Sequence, residues 1–194
     1  MKKIIPEDAI LIPRHAQKVY QGSIFSVYQW PQTEFDGTIR IYEMIKRTDS
    51  ASVIGVKDEQ IVVLKEEQPG RPVFLGLPGG KVDPDEDPAS AAAREMTEET
   101  GYVFNHYRLI SVVQTYEKME WFVYLYLATD FREQIASQTG GGEKIEVGLM
   151  QFENFKEVAK DIPRMGGHFA AKFPNLEALL RAPTFQGIPV EYEA

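Results

Sequence analysis

One segment constrains this chain more than any other. Between Leu77 and Tyr102 a glycine turn leads into a helix whose two ends are both marked. Asp87 can cap the N-terminus, and Pro88 suits the first helical position. Ala89, Ala91, Ala92, Ala93, Arg94, Glu95 and Met96 favour helix, and Gly101 stands where a left-handed C-terminal cap belongs. On that helix Glu95, Glu98 and Glu99 stand at i, i+3 and i+4, so their carboxylates share one face. Like charges so placed repel. They need open solvent or a cation, and Arg94 offsets only part of the charge.

The flanking sequence reads mostly as strand. Ser23 to Trp30 is aromatic and β-branched, and Asp36-Gly37 before Thr38 to Tyr42 signals a hairpin. A second hairpin pattern places Lys57-Asp58-Glu59-Gln60 between Ser52–Val56 and Ile61–Leu64. Gln68-Pro69-Gly70-Arg71-Pro72 is a turn or loop. Strands follow near Leu109–Tyr116 and Trp121–Thr129, and a last one near Ile145–Phe152. Asn154–Asp161 and Ala170–Arg181 read as helices. Residues 1–17 and the tail after Pro183 read as peripheral. This order gives an α/β (α+β) class.

Composition removes several functions. The 194 residues suit one domain with a small extra lobe. Without cysteine there is no disulfide, thiolate nucleophile or cysteine-held metal. A net charge of -8 argues against broad binding to nucleic acid or anionic membranes. No apolar stretch approaches the length of a membrane helix, and no signal peptide is visible, so a cytoplasmic location is expected. An anionic small molecule remains possible where a divalent cation mediates.

A bare Glu-x-x-Glu-Glu is most often a solvated face. The preceding Leu77-Pro78-Gly79-Gly80-Lys81 changes that reading, because two adjacent glycines let backbone approach an ion or phosphate. Hard oxygen donors without His or Cys suit Mg²⁺ or Mn²⁺.

Residues 80–102 read Gly80, five residues, Glu86, seven residues, then Arg94-Glu95-Met96-Thr97-Glu98-Glu99-Thr100-Gly101-Tyr102. This resembles the signature of the Nudix hydrolases, Gly-x5-Glu-x7-Arg-Glu-U-x-Glu-Glu-x-Gly-U, where U is bulky and aliphatic. The departure is Tyr102, an aromatic residue at a position expected to pack under the helix. The resemblance implies a mixed β-sheet sandwiched between helices. It also implies Mg²⁺-dependent (or Mn²⁺-dependent) hydrolysis of a nucleoside diphosphate linked to another group X. Carried over, Glu95, Glu98 and Glu99 are metal carboxylates, and a Gly79 or Gly80 carbonyl adds a ligand. Glu86 supports the metal site, and Arg94 orients the glutamates. The base for the attacking water is sought beyond the signature. Glu143 in Gly140-Gly141-Gly142-Glu143 is the first candidate and Glu146 the second.

Tyr20 to Tyr28, Phe35-Asp36-Gly37 and Tyr42 to Arg47 resemble the extra strands of ADP-ribose pyrophosphatases and related nucleotide-sugar hydrolases. The expected division is an N-terminal antiparallel β extension over 1–47, supporting a homodimer, and a Nudix domain over 48–194. ADP-ribose, cleaved to AMP and ribose 5-phosphate, is the first substrate expectation. Many of those enzymes carry a proline shortly after the signature, and Gln114-Thr115-Tyr116-Glu117-Lys118 has none. GDP-mannose, another nucleotide sugar, or a binding module without turnover therefore stay open. Tyr28, Trp30, Phe35 and Trp121 are candidates for stacking a base. Arg71, Arg47 and Lys81 are candidates for meeting phosphate, Arg71 first because it lies just ahead of the signature. His15, His106 and His168 are scattered and carry no site.

Overall fold

The computed structural model describes residues 2–138, 144–162, 165 and 169–191. In chain order the strands begin with β1 (Lys2–Ile5), β2 (Gln17–Gln21), β3 (Phe25–Thr33) and β4 (Ile39–Arg47). Next come β5 (Ser50–Lys57), β6 (Gln60–Glu67), β7 (Phe74–Gly76), β8 (Gly79–Lys81) and helix α1 (Pro88–Thr100). Then follow β9 (Tyr102–Gln114), β10 (Met119–Glu120), β11 (Phe122–Gln134) and β12 (Lys144–Gln151). The chain closes with α2 (Phe152–Ala159), α3 (Phe169–Lys172), α4 (Leu176–Leu180) and β13 (Ile188–Glu191).

The principal sheet has the order β12-β6-β5-β11-β9, with β7 paired to β6 and β8 to β5. It is mixed, because β11 runs parallel to β5 while its pairing with β9 is antiparallel. Side chains alternate between its faces. Val53, Val62, Tyr124 and Tyr126 pack with Ala91, Ala92 and Met96 of α1. Ile54, Ile61, Val63 and Leu127 pack with Phe155, Phe169 and Leu179 from α2, α3 and α4. Helices therefore cover both faces, as the resemblance implies.

The hairpin of β5 and β6 sets the geometry of the site. Asp58 and Glu59 both have positive φ (50° and 59°), the conformation of a two-residue primed turn. Yet the strands pair only at Val56↔Ile61 and Lys57↔Gln60 and then diverge. Into the opening run β7, against Leu64–Glu66, and β8, against Ser50–Ser52. The Val53 N–H donates to the Pro78 carbonyl at 2.8 Å and holds the turn between them.

Three readings of the chain are corrected. Residues 2–5 are not peripheral: β1 pairs with β13, which also orders the tail after Pro183. Ile5 is fully buried, and Lys3 donates to Asp49 Oδ2 at 2.9 Å inside the protein. Burial pushes the Asp49 carboxyl above its usual range, more than Lys3 and the Phe122 N–H bring it down. The expected helix over 170–181 is two short ones. Pro174 has no N–H to continue the first, and Asn175 Oδ1 accepts the Ala178 N–H at 2.8 Å to start the second. The strands expected near 109–116 and 121–129 run longer, as β9 and β11.

A second sheet, β10-β4-β3-β2, holds most of the N-terminal strands. The Asp36-Gly37 hairpin is present, with Gly37 at φ 83° and Thr33 paired to Ile39. No helix among the described residues is long and apolar enough to cross a membrane.

Candidate active site

α1 delivers the acids as its caps require. Asp87 Oδ1 accepts the Ala89 N–H at 2.9 Å and the Ser90 N–H at 3.1 Å, and Gly101 closes the helix at φ 73°. Arg94 then gathers the carboxylates. Its Nε donates to Glu86 Oε1 and its Nη2 to Glu86 Oε2, both at 2.9 Å, a bidentate pair. Its Nη1 donates to Glu95 Oε1 at 2.8 Å and to Glu98 Oε2 at 3.2 Å. Nη2 also donates to the Lys81 carbonyl at 3.0 Å, so one guanidinium ties the helix to the glycine strand.

The glycines are required by close approach. A Cβ on Gly80 would lie 2.3 Å from Glu95 Oε1, and one on Gly79 would lie 2.3 Å from the Ala51 carbonyl oxygen. The Gly79 N–H donates to Glu99 Oε2 at 2.9 Å. Glu95 and Glu99 are thus pressed against β8 from the helix side. Burial raises the Glu95 carboxyl; Arg94 opposes this, while Glu98 and Glu86 add to it. The Arg94 hydrogen bonds hold Glu86 below its usual range, and its carboxylates raise the Arg94 guanidinium. Among the described residues no three acidic or imidazole groups are already gathered around one point as a metal cluster. The chemistry still fits a hard divalent ion. Every donor is oxygen, and a cation would relieve the crowded charge at Glu95.

β8 and Glu99 wall a cavity of about 360 Å³ whose lining runs from β6 and β7 past β5 to Val123 and Leu125 of β11 and Ser111 and Val113 of β9. Ser50 and Ser52 line its β5 side, and Glu66 and Phe74 its β6 and β7 side. Arg47, Arg71 and Lys81 all reach it. Arg47 lies 4.2 Å from the Trp121 ring centre and Arg71 4.5 Å from that of Phe74.

Other sequence candidates fall elsewhere. Tyr28 lines a different cavity, with Arg14, Lys46 and Glu120, because even-numbered positions of β3 face inward from the second sheet. Trp121 is buried, its Nε1 donating to Ser50 Oγ at 3.2 Å, so Arg47 covers it and a ligand would meet Arg47 first. Trp30 is core, and Phe35 is wholly exposed in the β3–β4 loop. Glu146 pairs with Lys65 at 2.9 Å with 73% of its side chain exposed, outside the cavity wall. Glu143, Gly140–Gly142 and His168 lie outside the described residues. His15 is exposed, and His106 is exposed beside Asp130. Tyr102 packs edge-on against Phe131, ring centres 5.5 Å apart, where the signature has an aliphatic residue.

Sequence reasoning missed Glu66. It is buried on the cavity wall, so close to Gly76 that a Cβ there would meet its Oε1 at 2.2 Å. The signal was available: Glu66 follows Val62 and Leu64 at strand period, an acid on an inward row.

A NUDIX domain model matches residues 46–171, more than half of the chain. The chain belongs to the Nudix family. This Nudix chain is 28% identical over 88 residues to the ADP-ribose pyrophosphatase of Bacillus subtilis (strain 168), covering 44% of this chain and 48% of that protein. It is 27% identical over 108 residues to the ADP compounds hydrolase NudE of Escherichia coli (strain K12), covering 54% and 56%. It is 30% identical over 154 residues to the CMP-5'-(N-acetyl-N-hydroxy-3-aminopropyl)phosphonate hydrolase of Streptomyces rubellomurinus (strain ATCC 31215), covering 74% and 71%. The matched part spans about half the length of the first curated relatives. A crystal structure of an ADP compounds hydrolase has the same Nudix fold, with TM-score 0.59, 18% identity and coverage of 83% and 86%.

Proposed function

We propose that this chain is a divalent-metal-dependent hydrolase of the pyrophosphate bond in a nucleoside diphosphate linked to a group X. ADP-ribose, giving AMP and ribose 5-phosphate, is the first substrate. The observation that carries this is the meeting of Glu95 and Glu99 with the Gly79–Gly80 backbone at the edge of a cavity that three cationic side chains reach. The family membership and the names of the relatives support it.

Glu95, Glu98 and Glu99, with a Gly79 or Gly80 carbonyl, would hold Mg²⁺ or Mn²⁺. Such an ion, when bound, neutralises phosphate oxygens and acidifies the attacking water. Glu86 keeps Arg94 in place by its bidentate pair, and Arg94 in turn orients Glu95 and Glu98. Arg71, Arg47 and Lys81 would meet the substrate from the cavity rim. Glu143 is our candidate for the base that takes the proton from water. Glu146 is less suited, since it faces solvent and is engaged by Lys65.

Of the extension over residues 1–47, we read the part that forms β2, β3 and β4 as a dimerisation lobe. On one face of the second sheet Phe25, Ile39, Ile41 and Ile45 are all exposed, an apolar surface of the kind that partners cover.

The test is hydrolysis of ADP-ribose, GDP-mannose, UDP-glucose, NADH, diadenosine polyphosphates and nucleoside triphosphates, with Mg²⁺ and with chelator. Metal-dependent cleavage of a diphosphate, lost in Glu99→Gln, is expected. No turnover, with the same compounds still raising thermal stability, would make the chain a nucleotide-binding module instead.

A further inference from the structure

Three strand ends meet at Asp49. It precedes β5, whose Ser50 lies opposite Val123 of β11 on one side and Lys81 of β8 on the other. One carboxylate oxygen accepts the Phe122 N–H at 2.9 Å, where β11 starts. The other accepts Lys3 Nζ at 2.9 Å, from β1. The Asp49 carbonyl accepts the Val82 N–H at 2.9 Å, just past the end of β8. Asp49 is 4% exposed and Lys3 8%, so water screens their contact little.

The strand that Asp49 anchors leaves β8 no slack. A Cβ on Gly79 would lie 2.3 Å from the Ala51 carbonyl oxygen of β5, and one on Gly80 would lie 2.3 Å from Glu95 Oε1 of α1. The Gly79 N–H donates to Glu99 Oε2 at 2.9 Å. β8 is thus closely set between β5 and the acids, and a shift of β5 passes to both glutamates. Past Val82 the support changes. Lys3 and Asp49 line a cavity of about 280 Å³ together with Val82, Asp83, Pro84 and Glu86. Beneath the loop that carries Glu86 there is space rather than packed core, so the Val82–Asp49 hydrogen bond carries more of the loop's placement.

We propose that Asp49, with Lys3 as its counter-ion, is a positioning residue for the metal site. It sets the start of β5, and through β8 it sets the glycine carbonyls against Glu95 and Glu99. This rests on the hydrolase reading, in which those groups hold the ion. The N-terminal strand then acts on the site without lining its cavity.

The experiment measures Mn²⁺ affinity by calorimetry without substrate, at a temperature where circular dichroism shows each variant folded. Lys3→Met/Asp49→Asn removes both charges and keeps an oxygen for the Phe122 N–H. Lys3→Met/Asp49→Leu removes that acceptor and keeps the volume, an exchange that buried ion pairs often tolerate. The asparagine pair is expected to bind Mn²⁺ as the wild type does. The leucine pair is expected to bind it about tenfold more weakly, the scale for groups that support metal ligands. Wild-type affinity in the leucine pair would overturn the inference. So would equal weakening in both pairs, because the acceptor would then make no difference. Lys3→Met alone supplies the sign. Positioning predicts weaker binding, whereas a pure charge effect predicts tighter binding because a cation has been removed; tighter binding overturns the inference.

No Mn²⁺ binding by the wild type overturns the hydrolase reading alone. Hydrogen exchange of the Gly79 amide, which needs no metal, then decides the positioning. Faster exchange in the leucine pair than in the asparagine pair supports it, and equal rates sink it. Where the leucine pair does not fold, exchange in the wild type with and without Mg²⁺ replaces it. Slowing at Gly79 that extends to the Val82 and Phe122 amides supports the inference, and slowing confined to Gly79 overturns it.

Discussion

Arg94 is the residue on which the acidic face depends. It answers Glu86, Glu95 and Glu98 together and reaches the Lys81 carbonyl. Replacing it with alanine leaves three neighbouring carboxylates without their counter-ion. We expect Arg94→Ala to lower stability by about 2 kcal/mol, and added Mg²⁺ to recover part of it, both read by thermal unfolding with and without the ion. If Mg²⁺ protects neither this variant nor the wild type, the acids do not share a cation. Gly80→Ala tests the close approach from the other side. Its new methyl would displace the Glu95 carboxylate, 2.3 Å from the Cβ position. We expect turnover to fall by about a hundredfold, while circular dichroism shows the fold unchanged.

Among the elements, α1 matters most, and its start is held by Asp87. Hydrogen bonds from the Ser90 side chain and from the Ser90 and Ala89 backbone hold this carboxyl below the usual aspartate range. Its folded-state pKa is therefore lower than its unfolded value. The stabilisation is present above the unfolded value and is lost as pH falls through the folded one. Asp87→Ala should cost about 1 kcal/mol at neutral pH, and the difference from the wild type should vanish in strong acid. Urea unfolding across that range checks both. A cost that persisted once the cap was protonated would show that Asp87 acts by packing instead. The ends of α1 were readable because local rules set them. The split of the 170–181 helix was also local, since Pro174 blocks it, but the helical composition on either side masked the break.

In the whole molecule, the N-terminal strand is built into the same framework as the site. Asp49 accepts Lys3 through one carboxylate oxygen and the Phe122 N–H through the other, while its carbonyl accepts the Val82 N–H just past the glycine strand. Lys3→Met strands a buried carboxylate and should cost about 3 kcal/mol. A second change, Asp49→Asn, should return much of that, and the pair of unfolding curves decides. The apolar face of the second sheet makes a separate prediction. Ile41→Lys should turn a dimer into a monomer without loss of thermal stability, as light scattering would report. A wild type that scatters as a monomer at every concentration would remove the dimer reading.

The sequence alone determined the helix, its caps, the shared face of Glu95, Glu98 and Glu99, and the family resemblance. Each depends on residues close together in the chain, where spacing becomes geometry directly. The resemblance in turn implied helices on both faces of a mixed sheet. Only the tertiary structure decided that Lys2–Ile5 and the tail form one ribbon, because a strand acquires its partner across almost the whole chain. Only the tertiary structure showed that Trp121 lies beneath Arg47, that Tyr28 faces another cavity, and that Glu66 shares a wall with the glycine strand. An aromatic or acidic residue in a strand looks the same in sequence whether it lines a cavity, fills the core or meets water. The difference comes from which strands diverge and what enters the opening, here the departure of β5 from β6 beyond a two-residue turn.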